Sequence, residues 1–266
     1  MESFFIRGIF MSKKLTRTIL VFVGIIALGV IAYCGWYIYQ YWHGHELGDL
    51  LKQRINGEAI VEDVNAKTVD IPVDFKSLQE VNHDIYAWVY IPGTDISYPV
   101  LQHDSNNSYY CNHAEDGSYF TGGSIYSENY NCKDFTDKMT VIYGHNLRSG
   151  RMFAKLNDFA DINVFDANRY IYIYMPDKLL IYEIFAVTPH THEHLLLNHD
   201  FNNRMEFNAF FDDVMYKPNL NANYLDDVKL DFEKDRILTL STCYRLDNQQ
   251  RCIMMGRLIS EIPARK

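Results

Sequence analysis

The chain has 266 residues, is 48% hydrophobic and 15% aromatic, and carries a formal net charge of −9. That length holds one sizeable core plus a short appendage. The acidic balance argues against nucleic acid as a partner, because phosphate contacts need a basic surface.

The appendage comes first. "ILVFVGIIALGVIAYCGWYIY", Ile19 to Tyr39, contains no charged residue, and at about 1.5 Å per residue it spans roughly 30 Å of hydrocarbon. Trp36, Tyr37, Tyr39, Tyr41 and Trp42 form an aromatic belt at its outer edge. Arg7, Lys13, Lys14 and Arg17 precede it, opposed only by Glu2. The first 17 residues are therefore net +3, which leaves −12 of the total −9 for the remainder. The positive-inside rule keeps the N-terminus cytoplasmic and sends the rest of the chain outside. No small-residue cleavage site follows the apolar run, so an uncleaved single-pass membrane anchor is expected rather than a signal peptide. The expected organisation is a cytoplasmic N-terminus at 1–18, an anchor at 19–42, a helical linker at 43–83 and an extracellular domain at 84–266. Met11, opening "MSKKLTRTIL", is a second candidate start.

Beyond the anchor, Gly44 to about Asp70 is charged, with Leu47, Leu50, Leu51 and Ile55 at helical spacing. A second short helix is expected over Asp74 to Asn82, with Asp74 as its N-cap. The period then changes to that of strands: Tyr86–Gly93, Ile96–Gln102, Gly123–Glu128, Met139–Gly144, Tyr170–Met175 and Leu179–Pro189. Gly93-Thr94-Asp95 turns the first pair. Gly150–Phe159 and Phe201–Tyr216 have amphipathic helical spacing, and two further strands, Arg236–Thr242 and Arg251–Glu261, close the chain. Many short strands with few helices predict an α+β fold built on a closed or nearly closed β-barrel.

Five cysteines remain to be explained: Cys34 in the anchor, and Cys111, Cys132, Cys243 and Cys252 outside. A domain of this size needs no disulfide staples. Cys111 and Cys132 flank a loop and could pair; a free exported thiol otherwise needs a task. Cys243 stops a strand beside Tyr244 and Arg245, sharing a face with Thr239 and Ser241, while Leu238, Leu240 and Thr242 take the other. Cys252 sits inside an apolar run and reads as a small core residue. Arg251 opens the return strand, so the hairpin can bring its guanidinium back to Cys243, favouring thiolate or an oxyanion. His145 leaves another strand in "VIYGHN", where an imidazole can move protons near neutral pH; Tyr143 and Asn146 frame it. His145, Cys243 and Arg251 together suit acyl transfer. "PHTHEH" sets His190, His192 and His194 at alternate positions, with His199 beyond, a pattern able to bind zinc but better read as a solvated loop.

"TLSTC" at 239–243, "YGHN" at 143–146 and an arginine eight residues past the cysteine resemble the sortases, membrane-anchored transpeptidases of Gram-positive bacteria. "GSIYSENY" and "YGHNLRSGRMFAKL" resemble class B in particular, and the likeness runs from Asp84 to Ile259. The resemblance implies a closed barrel of about seven to eight strands with a long helix before the cysteine strand. It implies Cys243 as nucleophile on the threonine carbonyl of a sorting motif of LPXTG or NPXTX type. His145 would be the acid and base for the amines, and Arg251 would hold the oxyanion. Ser241, Thr242 and Asn112 would contact substrate, although Cys111 departs from the apolar residue usual before that asparagine. The acyl acceptor would be an amine of a peptidoglycan precursor (lipid II) or a pilin lysine, with no cofactor and no metal. Two rivals stand beside this: a papain-like protease, whose cysteine would precede its histidine at a helix N-terminus, and a membrane-tethered binding barrel with an incidental thiol.

Overall fold

The structure is a computed structural model that describes residues 13–52, 66–216, 221–225, 228–247 and 249–265. The chain divides into two compact units, Met1–His43 and Gly44–Lys266. Helix α1 (Lys13–Lys52) supplies nearly all that is described of the first unit. Thr16–Lys52 includes an 18-residue window of mean hydropathy 2.4 with none of it buried, long and apolar enough to cross a membrane. α1 runs without interruption through "QYWHGHEL", because nothing there stops a helix: a lone glycine costs only about 1 kcal/mol. The end of α1 belongs to the second unit, where Leu51 is buried and Arg151 pairs with Asp49 at 2.6 Å. Ile55 lies outside the described residues.

The second unit is the β-barrel. Its strands are β1 (Ile85–Tyr90), β2 (Ser97–Leu101), β3 (Ile125–Ser127), β4 (Met139–Tyr143), β5 (Tyr170–Tyr174), β6 (Lys178–Thr191), β7 (Asn223–Tyr224), β8 (Ile237–Cys243) and β9 (Gln250–Pro263). They follow the order β5-β1-β2-β3-β4-β8-β9-β6-β7, and β5 also pairs with β6. Eight strands therefore close on themselves, leaving the two residues of β7 as a flap on β6. The β2–β3 and β4–β8 pairs are parallel; the others are antiparallel.

Alternation along these strands sorts side chains into two environments. Ile142, Leu238, Leu240 and Met254 point inward with Phe153 and Val100. Met139, Val141, Ile237, Ile253 and Met255 point outward and are covered by Phe207, Phe210, Phe211 and Val214 of α5 (Arg204–Tyr216). Each large apolar side chain so buried contributes about 1.5–3 kcal/mol. A second outer cluster packs Trp88, Tyr174 and Leu179 against Phe75 and Leu78 of α2 (Phe75–Val81). The Asp74 carboxylate caps α2 by accepting from Ser77 N at 3.2 Å, as its position before the apolar run predicts.

Two helical expectations are revised. The Gly150–Phe159 stretch forms a 3-10 helix at Ala154–Ala160, followed by α3 (Ile162–Ala167), capped by Asp161. The run from Phe201 becomes helical only at Arg204, and the one-turn helix α4 (Leu195–Asn198) precedes it.

Candidate active site

The register of β8 and β9 decides what stands beside Cys243. Cys243 pairs directly with Arg251, and Thr242 with Cys252. On the next strand His190 of β6 stands opposite Arg251. On the other side, Tyr143 is level with Ser241, and Gly144 N donates to Ser241 O at 3.1 Å. Across three strands one row thus reads Cys243, Arg251, His190 at one rim, and His145 follows two residues after Tyr143, past the end of β4.

Within that row the arginine meets the thiol: Arg251 Nη1 donates to Cys243 Sγ at 3.2 Å. Both residues are half-buried. The hydrogen bond of His145 goes elsewhere, from Nε2 to the Cys111 carbonyl at 2.8 Å. A carbonyl only accepts, so Nε2 carries the proton and Nδ1 of the neutral ring keeps its lone pair. Two glycines make this seating possible. A Cβ on Gly144 would sit 2.3 Å from Ile125 Cδ1 and 2.8 Å from the Phe153 ring, so the exit to His145 stays tight. Gly123, at φ 58°, would press a Cβ to 2.5 Å from the Tyr110 carbonyl and 2.7 Å from that of Cys111, the acceptor of His145.

The backbone of the nucleophile candidate is pinned as well. Asn146 Nδ2 donates to the Cys243 carbonyl at 3.0 Å, and Asn157 Nδ2 does so at 3.3 Å. Asn157 Oδ1 then accepts from Arg245 N at 2.8 Å, gripping both sides of Tyr244. Asn146 is therefore more than a frame for His145. Asn157 escapes sequence reasoning because its link to Cys243 crosses 86 residues.

The remaining predicted residues separate. Ser241 shares the outward face of Cys243 and is 4% exposed, and Asn112 is exposed beside Cys111. Thr242 points into the barrel, 1% exposed, so its side chain cannot touch a substrate on the outer face. Cys252 also points inward, and burial pushes its thiol up to about 12. Cys111 and Cys132 do not pair: both are free, and Cys111 Sγ lies 2.8 Å from the Tyr126 hydroxyl. Arg245, in the turn after Cys243, is fixed by Asp158 at 2.7 Å and the Ala154 carbonyl at 3.3 Å. Arg257 stands opposite Ile237 at the far end of β8 and pairs with Glu183 at 3.1 Å. The histidines of "PHTHEH" do not share one solvated face. His190 Nε2 meets Glu193 at 3.0 Å, His194 Nε2 meets Glu128 at 2.7 Å, and His192 is exposed. Among the described residues no group of three or more His, Cys, Asp or Glu is arranged to hold a metal.

Comparison with known proteins accounts for this rim. The sortase domain family matches residues 89–259. Sortase B of Listeria monocytogenes is 31% identical over 258 residues, 95% of this chain and 98% of that protein. The X-ray structure of Clostridium perfringens sortase B superposes with a TM-score of 0.62 at 30% identity, over 70% of this chain and all of that one. The Staphylococcus aureus sortase B–substrate complex gives a TM-score of 0.61 at 26% identity, over 70% of this chain and 84% of that one. The eight-stranded barrel is that of a sortase, and the chain belongs to that family, in its class B. Its chemistry is that of a cysteine transpeptidase acting on sorting-signal substrates. A papain-like protease is excluded.

Proposed function

We propose that Cys243, His145 and Arg251 carry the transpeptidation, and that the enzyme anchors an exported protein to the cell wall. The observation that carries the assignment is the 3.2 Å contact between Arg251 Nη1 and Cys243 Sγ at the rim. The Cys243 thiolate attacks the carbonyl carbon of the threonine in a sorting motif. The carbonyl π pair moves to oxygen, and Arg251, already beside the sulfur, donates to that oxyanion. Collapse of the intermediate breaks the peptide bond, and protonated His145 gives its proton to the departing amine. A thioacyl-enzyme remains. Neutral His145 then takes a proton from an incoming amine as its nitrogen attacks the thioester, and Cys243 leaves as thiolate. Arg251, rather than His145, touches the thiol, which suits a histidine whose work is on the amines. Exposed Asn112 and outward Ser241 stand on either side of this path as substrate contacts. The amine belongs to a peptidoglycan precursor, and α1 holds the enzyme in the membrane with the N-terminus cytoplasmic and the barrel outside.

The test is to incubate the enzyme with sorting-motif peptides and competing amines, a peptidoglycan stem peptide against a pilin lysine peptide, and to read products by mass spectrometry. A threonine-terminated acyl product joined to the stem amine, lost in Cys243→Ala, is expected. Selective joining to the pilin lysine would replace wall anchoring by pilin polymerisation. No thioacyl adduct on Cys243 with any peptide would refute the assignment.

A further inference from the structure

The histidines of "PHTHEH" have no part in the chemistry above, yet the structure gives three of the four in and beyond that stretch a carboxylate. They run from the end of β6, where His190 stands opposite Arg251, into the connection to α5, which returns beside Tyr143. Glu193 Oε1 takes His190 Nε2 at 3.0 Å and stands 3.5 Å from His199 Nε2. His194 turns the other way. Its Nδ1 accepts from Leu197 N at 3.3 Å, capping α4, while its Nε2 lies 2.7 Å from Glu128 Oε2 just past β3. An Nδ1 that accepts leaves the proton on Nε2, so one ring caps the helix while its N–H side lies against the Glu128 carboxylate, 2.7 Å from Oε2.

This bracket lies against Tyr143, the β4 residue level with Ser241. The His194 ring is 6.3 Å from that of Tyr143, which stacks on Tyr126 at 5.5 Å. Glu128 also faces the Tyr143 phenol, whose pKa is raised by burial and then by that carboxylate. Leu195 and Leu196 of α4 pack in the cluster that holds Ile253 and Tyr143, the outward neighbours of Ser241 across β9 and β4. The Glu128 side chain is 12% exposed and that of His194 31%, so the pair is drier than an ordinary surface ion pair.

We infer that His194 and Glu128 are positioning residues that fix α4 as one wall of the groove beside Cys243 and so set the affinity for the sorting peptide. The inference rests on the sortase assignment of Cys243 proposed above. His194→Asn separates its two contacts: asparagine is a good N-cap but is too short to reach Glu128. Glu128→Ala removes the other partner. In the full-length enzyme each substitution should raise KM for the sorting peptide about tenfold and leave kcat unchanged, the pattern of lost ground-state positioning. Labelling of Cys243 by a small methanethiosulfonate should keep its wild-type rate. The double variant should be no worse than either single one, because both break the same contact. KM within twofold of wild type in His194→Asn, additive losses in the double variant, or a joint fall of kcat and labelling rate would each overturn the inference. If Glu128→Ala melts before it can be assayed, His194→Asn, which keeps the helix cap, decides alone. Turnover that persists in Cys243→Ala would instead sink the sortase assignment itself, whatever the KM values.

Discussion

Cys243 and Cys252 face each other across the same hairpin, one register step apart, and differ in every property that matters. Cys252 is paired with Thr242, points into the barrel, and is surrounded by the apolar interior, which keeps its thiol neutral. Cys243 is paired with Arg251, points outward at the rim, and has a guanidinium nitrogen at 3.2 Å. The same atom type on adjacent rungs becomes filler on one face and reagent on the other. Parity along a strand makes that difference, because a shift of one residue moves a side chain through the sheet.

The comparison breaks most sharply at the sulfur. Cys243→Ala should abolish cleavage and transfer, a loss of at least three orders of magnitude, on the scale seen when a covalent nucleophile is removed. The melting temperature should stay close to wild type, since a half-exposed thiol adds little packing. Measurable thioacyl formation in that variant would move the chemistry to another residue.

The second break is the cation. Arg251→Ala should lower kcat/KM by about two orders of magnitude, the cost of losing an oxyanion donor. Arg251→Lys should recover only part, since an ammonium lacks the planar fork. Arg245→Ala and Arg257→Ala should stay within roughly tenfold, because each guanidinium answers a carboxylate away from the sulfur, Asp158 and Glu183. A larger effect from Arg245 than from Arg251 would reverse the assignment.

The identity of these two residues was legible in the chain because strand parity and hairpin proximity are local properties. "TLSTC" placed Cys243 on the outward face, and the start of the return strand placed Arg251 opposite. The barrel was legible for the same reason, from alternating apolar runs. Contacts that close over long separations were not. Asn157, Gly123 and the Cys111 carbonyl meet the site only once β3, β4 and β8 are side by side. Thr242 shares its parity with Leu238 and Leu240, so its side chain points inward. The histidines of "PHTHEH" were misread because no rule of spacing foretells that a glutamate just past β3 will reach one of them.

A smaller effect sharpens the backbone side of the comparison. Asn157→Ala removes one of two amide donors to the Cys243 carbonyl and the acceptor for Arg245 N. Asn146 still holds that carbonyl, so kcat should fall only about three- to tenfold, as for misplacement of a nucleophile rather than its loss. Labelling of Cys243 by a methanethiosulfonate should proceed near the wild-type rate. A hundredfold fall in kcat would mean that the carbonyl is held by Asn157 alone.

The smallest effect belongs to the inward thiol. Cys252→Ala should keep activity within about twofold and cost roughly 1 kcal/mol of stability at pH 7, the penalty of a small cavity. That cost should also depend on pH in a calculable direction. Burial raises the folded thiol to about 12 from an ordinary 9.0. Below about pH 9 the thiol is protonated in both folded and unfolded chains and its raised pKa takes nothing from the fold. Between about 9 and 12 the unfolded chain releases the proton and the folded one keeps it, so wild-type stability falls as pH rises. Alanine has no proton to lose. Buried Tyr86 and Tyr182, both raised by burial, tilt the two proteins equally and cancel in the difference. The gap between wild type and Cys252→Ala, measured as urea midpoints at pH 7 and pH 10, should therefore narrow at the higher pH. A gap that stays constant would mean that the Cys252 thiolate reaches water, and that the inner and outer faces of this hairpin are less distinct than their packing indicates.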